Sequence, residues 1–383
     1  MTGLQRPATR PRSGGARHDE RMTSPLSPAG IGAPPPQLLA GTLFALAAGL
    51  TWGLVFVAPL LLPDTPPALL SVGRYLAFGL IALPLAWWDR RELARLTRED
   101  WLAALGLALV GNLLYYLFLA ASIQRAGGAL PTMIIGTLPV VIAIVSNLRG
   151  GGHGPGASRL AWRRLLPSLA LIAAGLALVN HAELAALAHS AQAADPAART
   201  RYAVGAALAL GAVVCWTWYP IRNADWLRRH PDRSPRAWAT AQGVATLPLA
   251  LLGYALVGVW GAQQGPTVAW PFGPDPVRFV MLMCALGLFA SWLGTLCWNE
   301  ASQRLPTTLA GQLIVFETLA ALAFVFALRG HWPEPQVALG IAVLVAGVAW
   351  AVRVAAGSPT PAVQAQVQAQ EGAAAAARNA ASR

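Results

Sequence analysis

The strongest constraint on this 383-residue chain is its punctuation: long apolar stretches recur along it, and its basic residues, all arginine, gather between them. A helix needs about 20 residues, each rising about 1.5 Å, to cross a hydrocarbon core about 30 Å thick, because no backbone polar group can be left unpaired there. Ten stretches meet that length: residues 37–62, 68–88, 101–123, 129–148, 162–179, 202–221, 237–260, 277–301, 307–328 and 335–354. With 56% apolar and only 11% charged residues, the chain lacks the polar surface to coat a soluble fold of its size. The expected class is an all-α membrane protein of ten transmembrane helices.

Arginine placement predicts orientation, since positive charge is held on the cytoplasmic side. With the amino terminus inside, twenty-two arginines fall in inside segments and four outside (Arg125, Arg199, Arg201 and Arg329), while Arg74 and Arg278 lie in membrane segments. Both termini are therefore expected in the cytoplasm. Residues 1–36, rich in Pro, Arg, Gly and Ser, lack the apolar core of a signal peptide and read as a disordered cytoplasmic tail, with Met22 as an alternative start. Residues 356–383, rich in Ala and Gln, read as a second such tail.

A weak internal echo runs at an offset of 180 positions: Ala121/Ala301, Ser122/Ser302, Ile134/Ile314, Ala143/Ala323, Val145/Val325, and Leu148-Arg149-Gly150 against Leu328-Arg329-Gly330. It relates the fourth span to the ninth. Five crossings apart, the two run in opposite directions, so the echo predicts two inverted five-helix repeats, 37–180 and 202–355, joined by an outer loop, 181–201. Such symmetry is a frequent construction of secondary transporters, with binding near the midplane.

The pattern resembles the drug/metabolite transporter superfamily, EamA type. The likeness runs from residue 37 to 355 and is carried by Thr51-Trp52-Gly53 in the first span, Arg74 in the second, Leu138-Pro139-Val140 in the fourth and Phe316-Glu317-Thr318 in the ninth. The family often has Glu-Pro at Glu317-Thr318, and Gly-Glu where this chain has Arg149-Gly150 and Arg329-Gly330. The resemblance implies efflux of amino acids or related small compounds from the inner membrane.

Glu317 is the eleventh residue of a 22-residue span, about 15 Å from either end, and no other acid lies so deep. A carboxylate there costs at least about 2.5 kcal/mol unless it faces a cavity, pairs or stays protonated. Depth thus makes Glu317 the candidate for proton coupling or for pairing with a cationic substrate, the competing reading being a neutral acid bonded between helices. Arg74, about 10 Å below the outer surface, is equally consistent with snorkelling, with aiming at a substrate carboxylate and with pairing with Glu317.

Asn112, Tyr115, Tyr116 and Leu119 recur at helical spacing and are expected to form one polar, aromatic face. Shifted by 180, they become Trp292, Thr295, Leu296 and Asn299, so both spans offer an amide and an aromatic ring to a cavity wall. The bland reading, interhelical hydrogen bonds worth about 0.6 kcal/mol each, is preferred for either asparagine alone. Gln312 lies roughly 140° around the helix from Glu317 and need not share its face. Trp52 is too deep for an interfacial belt and either stacks on substrate or, preferentially, packs. Trp87, Trp88, Trp101, Trp162 and Trp226 fit the belt. Pro139 is expected to kink the fourth span.

No GxxxxGK[ST] motif is present, so energy is expected from a gradient. All six histidines lie outside the spans, and Cys215, Cys284 and Cys297 fall within apolar runs, so neither a metal cofactor nor a disulfide framework is expected. Expected partners are a small-molecule substrate and the lipid bilayer. Protons and a second copy of the chain remain open, and the arginine pattern does not suit nucleic acid. An intramembrane enzyme acting on lipid or prenyl substrates is the alternative, disfavoured because Asp89, Glu92, Glu99 and Asp100 alternate with arginines as a solvated helix face does.

Overall fold

The structure, a computed structural model, describes residues 36–127, 129–149, 162–188, 195–263, 270–330 and 332–356. Both expected tails, except at their helical margins, lie outside that set. Among the described residues every regular element is helical. Besides one short turn of helix at Arg90–Leu93, the helices are α1 (Gln37–Leu61), α2 (Pro67–Trp88), α3 (Arg98–Ala126), α4 (Ala129–Ile135), α5 (Leu138–Leu148), α6 (Trp162–Ala188), α7 (Pro196–Arg229), α8 (Pro235–Gln263), α9 (Pro276–Arg304), α10 (Thr307–Leu313), α11 (Val315–Arg329) and α12 (Pro335–Ala356).

Local chemistry explains where they begin. Proline is the first residue of α2, α7, α8, α9 and α12, where its missing N–H costs nothing and its fixed φ suits the first turn. Asp195 caps α7 by accepting from the amides of Ala197 and Ala198, Asp275 caps α9 by accepting from that of Arg278, and Thr97 with Asp100 forms a reciprocal capping box on α3. At the other end of α3, Gly127 turns the chain with φ of 75°, a conformation open to glycine.

By length and composition, seven described helices can cross a membrane: α1, α2, α3, α7, α8, α9 and Leu309–Leu328, which spans α10 and α11. The other three expected spans take a different form. Residues 129–148 form two short helices, and the apolar parts of α6 and α12 are only Leu166–Leu178 and Pro335–Ala351. Helices α6 and α7 also extend into the expected outer loop, of which residues 189–194 lie outside the described set.

Two irregularities recur. The chain breaks at Gly136-Thr137, between α4 and α5, and at Ile314, between α10 and α11. Pro139 sits in the first turn after its break, where proline is tolerated, so the expected kink is a full interruption. Helices α3 and α9 each contain a π-helical stretch, Ala108–Leu114 and Leu286–Leu293. Such windings displace backbone carbonyls from the regular ladder and often mark functional positions.

The packing follows a crossed pattern. Helix α2 lies along α8, α6 along α12 and α5 along α10; α1 packs on α9 and α11, and α7 on α3, α4 and α5. Gly49 and Gly53 bring α1 against α11: a Cβ on Gly49 would stand 2.9 Å from the Glu317 amide nitrogen, and one on Gly53 2.7 Å from Ala320 Cβ. The Gly-x-x-x-Gly spacing puts both on one face, the usual device for close helix approach in a membrane.

Candidate functional site

The break at Ile314 places Glu317 in the first turn of α11, midway along Leu309–Leu328. Its amide bonds the Ile314 carbonyl at 3.0 Å, and the positive end of the helix dipole favours its negative charge. Its side chain is buried, with the residue 1% exposed, and bridges three helices. Oε1 accepts from the Tyr115 hydroxyl of α3 at 3.2 Å, and Oε2 accepts from Trp216 Nε1 of α7 at 3.1 Å.

Stacked rings hold those donors in place. Trp216 lies between Tyr115, 4.4 Å away and nearly parallel, and Tyr219, 5.1 Å away and parallel. Trp52 of α1 meets Trp216 edge-on at 4.8 Å and Trp298 of α9 at 5.3 Å. Offset and edge-to-face contacts of this kind each add about 0.5–1.5 kcal/mol beyond area burial and fix ring orientation. The indole N–H is therefore aimed at the carboxylate by its neighbours.

Arg74 is 4% exposed and does not snorkel. Its Nε donates to Ser291 Oγ at 3.0 Å and its Nη2 to the Ala290 carbonyl at 3.3 Å, both within the π-helical stretch of α9. The guanidinium lies over the rings of Tyr75 and Tyr116, 4.8 and 4.6 Å from their centroids. Its Nη1 is buried and meets no acceptor among the described residues. Burying a cation without a counter-ion costs several kcal/mol. Two desolvated cation–π contacts, at about 2 kcal/mol each, offset part of that. Arg74 and Glu317 form no ion pair among the described residues, each being bonded elsewhere.

A model of the EamA-like transporter family matches residues 39–153. The inner membrane protein YtfF of Escherichia coli (strain K12) is 52% identical over 316 residues, covering 82% of this chain and 96% of that protein. The chain belongs to the EamA-like transporter family. It is a multi-pass membrane transporter of the drug/metabolite type. One solved crystal structure of a protein matches 82% of this chain and 97% of its own, with a TM-score of 0.59 and 21% identity, a likeness that shows the fold alone.

Within this transporter, the sequence-predicted residues divide into groups. Glu317, Tyr115 and Trp52 each contact Trp216 in the aromatic cluster, and Tyr116 lies against Arg74. Tyr116 also points its hydroxyl toward the Val55 carbonyl at 3.4 Å. Asn112 instead donates to Thr246 of α8 at 3.3 Å. Asn112, Tyr115 and Tyr116 reach three different helices, α8, α11 and α1, and the π winding of α3 ends between them at Leu114.

Asn299, Trp292 and Gln312 lie elsewhere. Asn299 closes a polar ladder toward the arginine-rich end of the bundle. The Tyr219 hydroxyl donates to Gln242 Oε1 at 2.9 Å, Gln242 Nε2 and Trp238 Nε1 donate to Asn223 Oδ1 at 3.1 and 2.9 Å, and Asn223 Nδ2 donates to Asn299 Oδ1 at 2.8 Å. Trp292 donates to Thr240 Oγ1 at 3.3 Å, and Gln312 to Ser168 of α6 at 2.9 Å.

Two expectations about the arginine-rich end need correction. Asp89 and Asp100 do not belong to a solvated face, being only 4% and 5% exposed. Asp89 accepts from Arg236 and, at 3.1 Å, from Thr240. Asp100 accepts from Trp226 Nε1 at 2.8 Å and faces His230 at 3.7 Å. Trp226 accordingly is no belt residue; it is buried and stacked on Trp238, with centroids 3.5 Å apart. Charge alternation along a sequence cannot distinguish a solvated face from one covered by a distant helix.

Sequence reasoning also missed Tyr75, Ser291, Tyr219, Gln242 and Asn223, and did not single out Trp216 as a site residue. Trp216 and Tyr219 sit three apart on one helix face, a spacing that was available as a signal.

Proposed function

We propose that the protein is a gradient-driven secondary transporter that exports small metabolites, such as amino acids or related amphipathic compounds, across the inner membrane. Its ten spans form two inverted five-helix repeats with the site near the midplane and both termini in the cytoplasm. The observation that carries this reading is Glu317: one buried carboxylate at a helix break, midway along its span, held by single donors from α3 and α7.

The crossed packing supports the repeat. Pairing spans five apart, α1 with α7, α2 with α8 and α3 with α9, maps the α1–α9 contact onto α7–α3, and the paired π windings and breaks fall at matching places. Discontinuous helices at midplane are where substrates and coupling ions bind in transporters so built.

Glu317 offers a means of coupling. An indole N–H can only donate, whereas a phenol can donate or accept. An ionised Glu317 satisfies both Trp216 and Tyr115 as acceptor, with bonds roughly twice as strong as neutral ones. Proton uptake makes it a donor, reverses the Tyr115 hydroxyl and weakens the hold of α11 on α3 and α7. Substrate and proton then compete for one arrangement of helices, the requirement for coupled transport.

Export from proteoliposomes loaded with a metabolite panel, with and without a pH gradient, tests this. Gradient-dependent release of at least one compound is expected. Release of none under either condition would overturn the reading.

A further inference from the structure

Arg74 carries a positive charge with no acidic side chain paired to it among the described residues. The guanidinium edge bearing Nε and Nη2 is committed to Ser291 Oγ and the Ala290 carbonyl. Its remaining end, with Nη1 and the second N–H of Nη2, is a planar fork of the kind that binds a carboxylate through two parallel hydrogen bonds. The rings of Tyr75 and Tyr116, nearly perpendicular to each other, both contact the guanidinium carbon. Glu317 instead accepts from Tyr115 and Trp216 and forms no ion pair with Arg74 among the described residues.

We infer that Arg74 is the anchor for a carboxylate on the transported molecule, and thereby the residue that sets the charge class the transporter accepts. The inference rests on the transport reading above. The π winding of α9 is what builds this anchor: it turns Ser291 and the Ala290 carbonyl toward α2, fixing the guanidinium by one edge while its end stays free. A lysine could supply charge but not the fork, because its three donors radiate from one point. Tyr75 and Tyr116 meet edge-on beside Arg74, and Tyr115, next to Tyr116 in α3, stacks on Trp216, so aromatic faces are at hand for the apolar body of an amphipathic acid once its carboxylate is seated. Since Arg74 is only 4% exposed, the fork is reached when α2 and α3 part during the cycle.

The test uses full-length protein in liposomes loaded with matched pairs, each amino acid beside its carboxamide and its N-acetyl derivative, with release followed by mass spectrometry. Wild type should release free acids and N-acetyl acids, and carboxamides at least tenfold more slowly. Arg74→Lys should lose the acids at least tenfold while its thermal unfolding stays within a few degrees of wild type. Comparable release of acids and carboxamides by wild type would overturn the anchor while leaving the transport reading standing. Release of no compound by wild type would overturn both. If Arg74→Lys does not fold, the wild-type comparison of acid with carboxamide decides alone.

Discussion

Trp216 and Glu317, 101 residues apart in sequence, meet through a 3.1 Å bond from the indole N–H to Oε2. This contact ties α7 to the discontinuous helix that carries the buried acid. The rings on either side of Trp216 leave the indole little freedom to point elsewhere.

Glu317→Gln should reduce substrate flux at least tenfold while the protein remains folded. The amide keeps the shape and cannot take up a proton, while its oxygen can still accept from Trp216 and its NH2 can donate to the Tyr115 hydroxyl. Flux into a pH gradient, measured beside size-exclusion profiles, checks this; full activity would show that Glu317 is structural.

Trp216→Phe keeps most of the stack and deletes the N–H. Leaving a buried carboxylate oxygen without its donor should cost about 1–3 kcal/mol, seen as a lower unfolding temperature. A double-mutant cycle with Glu317→Gln should show coupling, since the two residues share one bond. Additive effects would deny the bond any energetic role.

Gly53→Ala should part α1 from α11, because its Cβ would come 2.7 Å from that of Ala320. Overpacking of this kind costs about 1–3 kcal/mol. Thermal unfolding in detergent measures it. Gly106→Ala, whose Cβ would meet nothing closer than 3.9 Å, is the control that should stay near wild type.

Asp89→Asn should destabilise the junction of α2 with α8. Asp89 is buried and accepts from Thr240 and Arg236, but Arg236 is half exposed and can turn to water. The loss is therefore expected near about 1–3 kcal/mol rather than the larger cost of stranding a buried cation.

By itself the sequence determined that this chain is an all-helical membrane protein, that its family is legible in scattered residues, and that one acid lies too deep for an ordinary surface role, while depth left Arg74 undecided between snorkelling and a buried role. These follow from composition and length, because the bilayer penalises unpaired polar groups uniformly wherever they occur. Only the tertiary structure decided which polar groups meet. Glu317 and Arg74 were visible from depth, but Trp216 and Tyr115 became its donors, and Ser291 and the Ala290 carbonyl became the anchors of Arg74, through contacts between helices up to 217 residues apart. The π windings and the breaks at Gly136-Thr137 and Ile314 interrupt the uniform helical spacing that a sequence reading assumes. Periodicity assumes one regular helix, and this site is built where the helices depart from it.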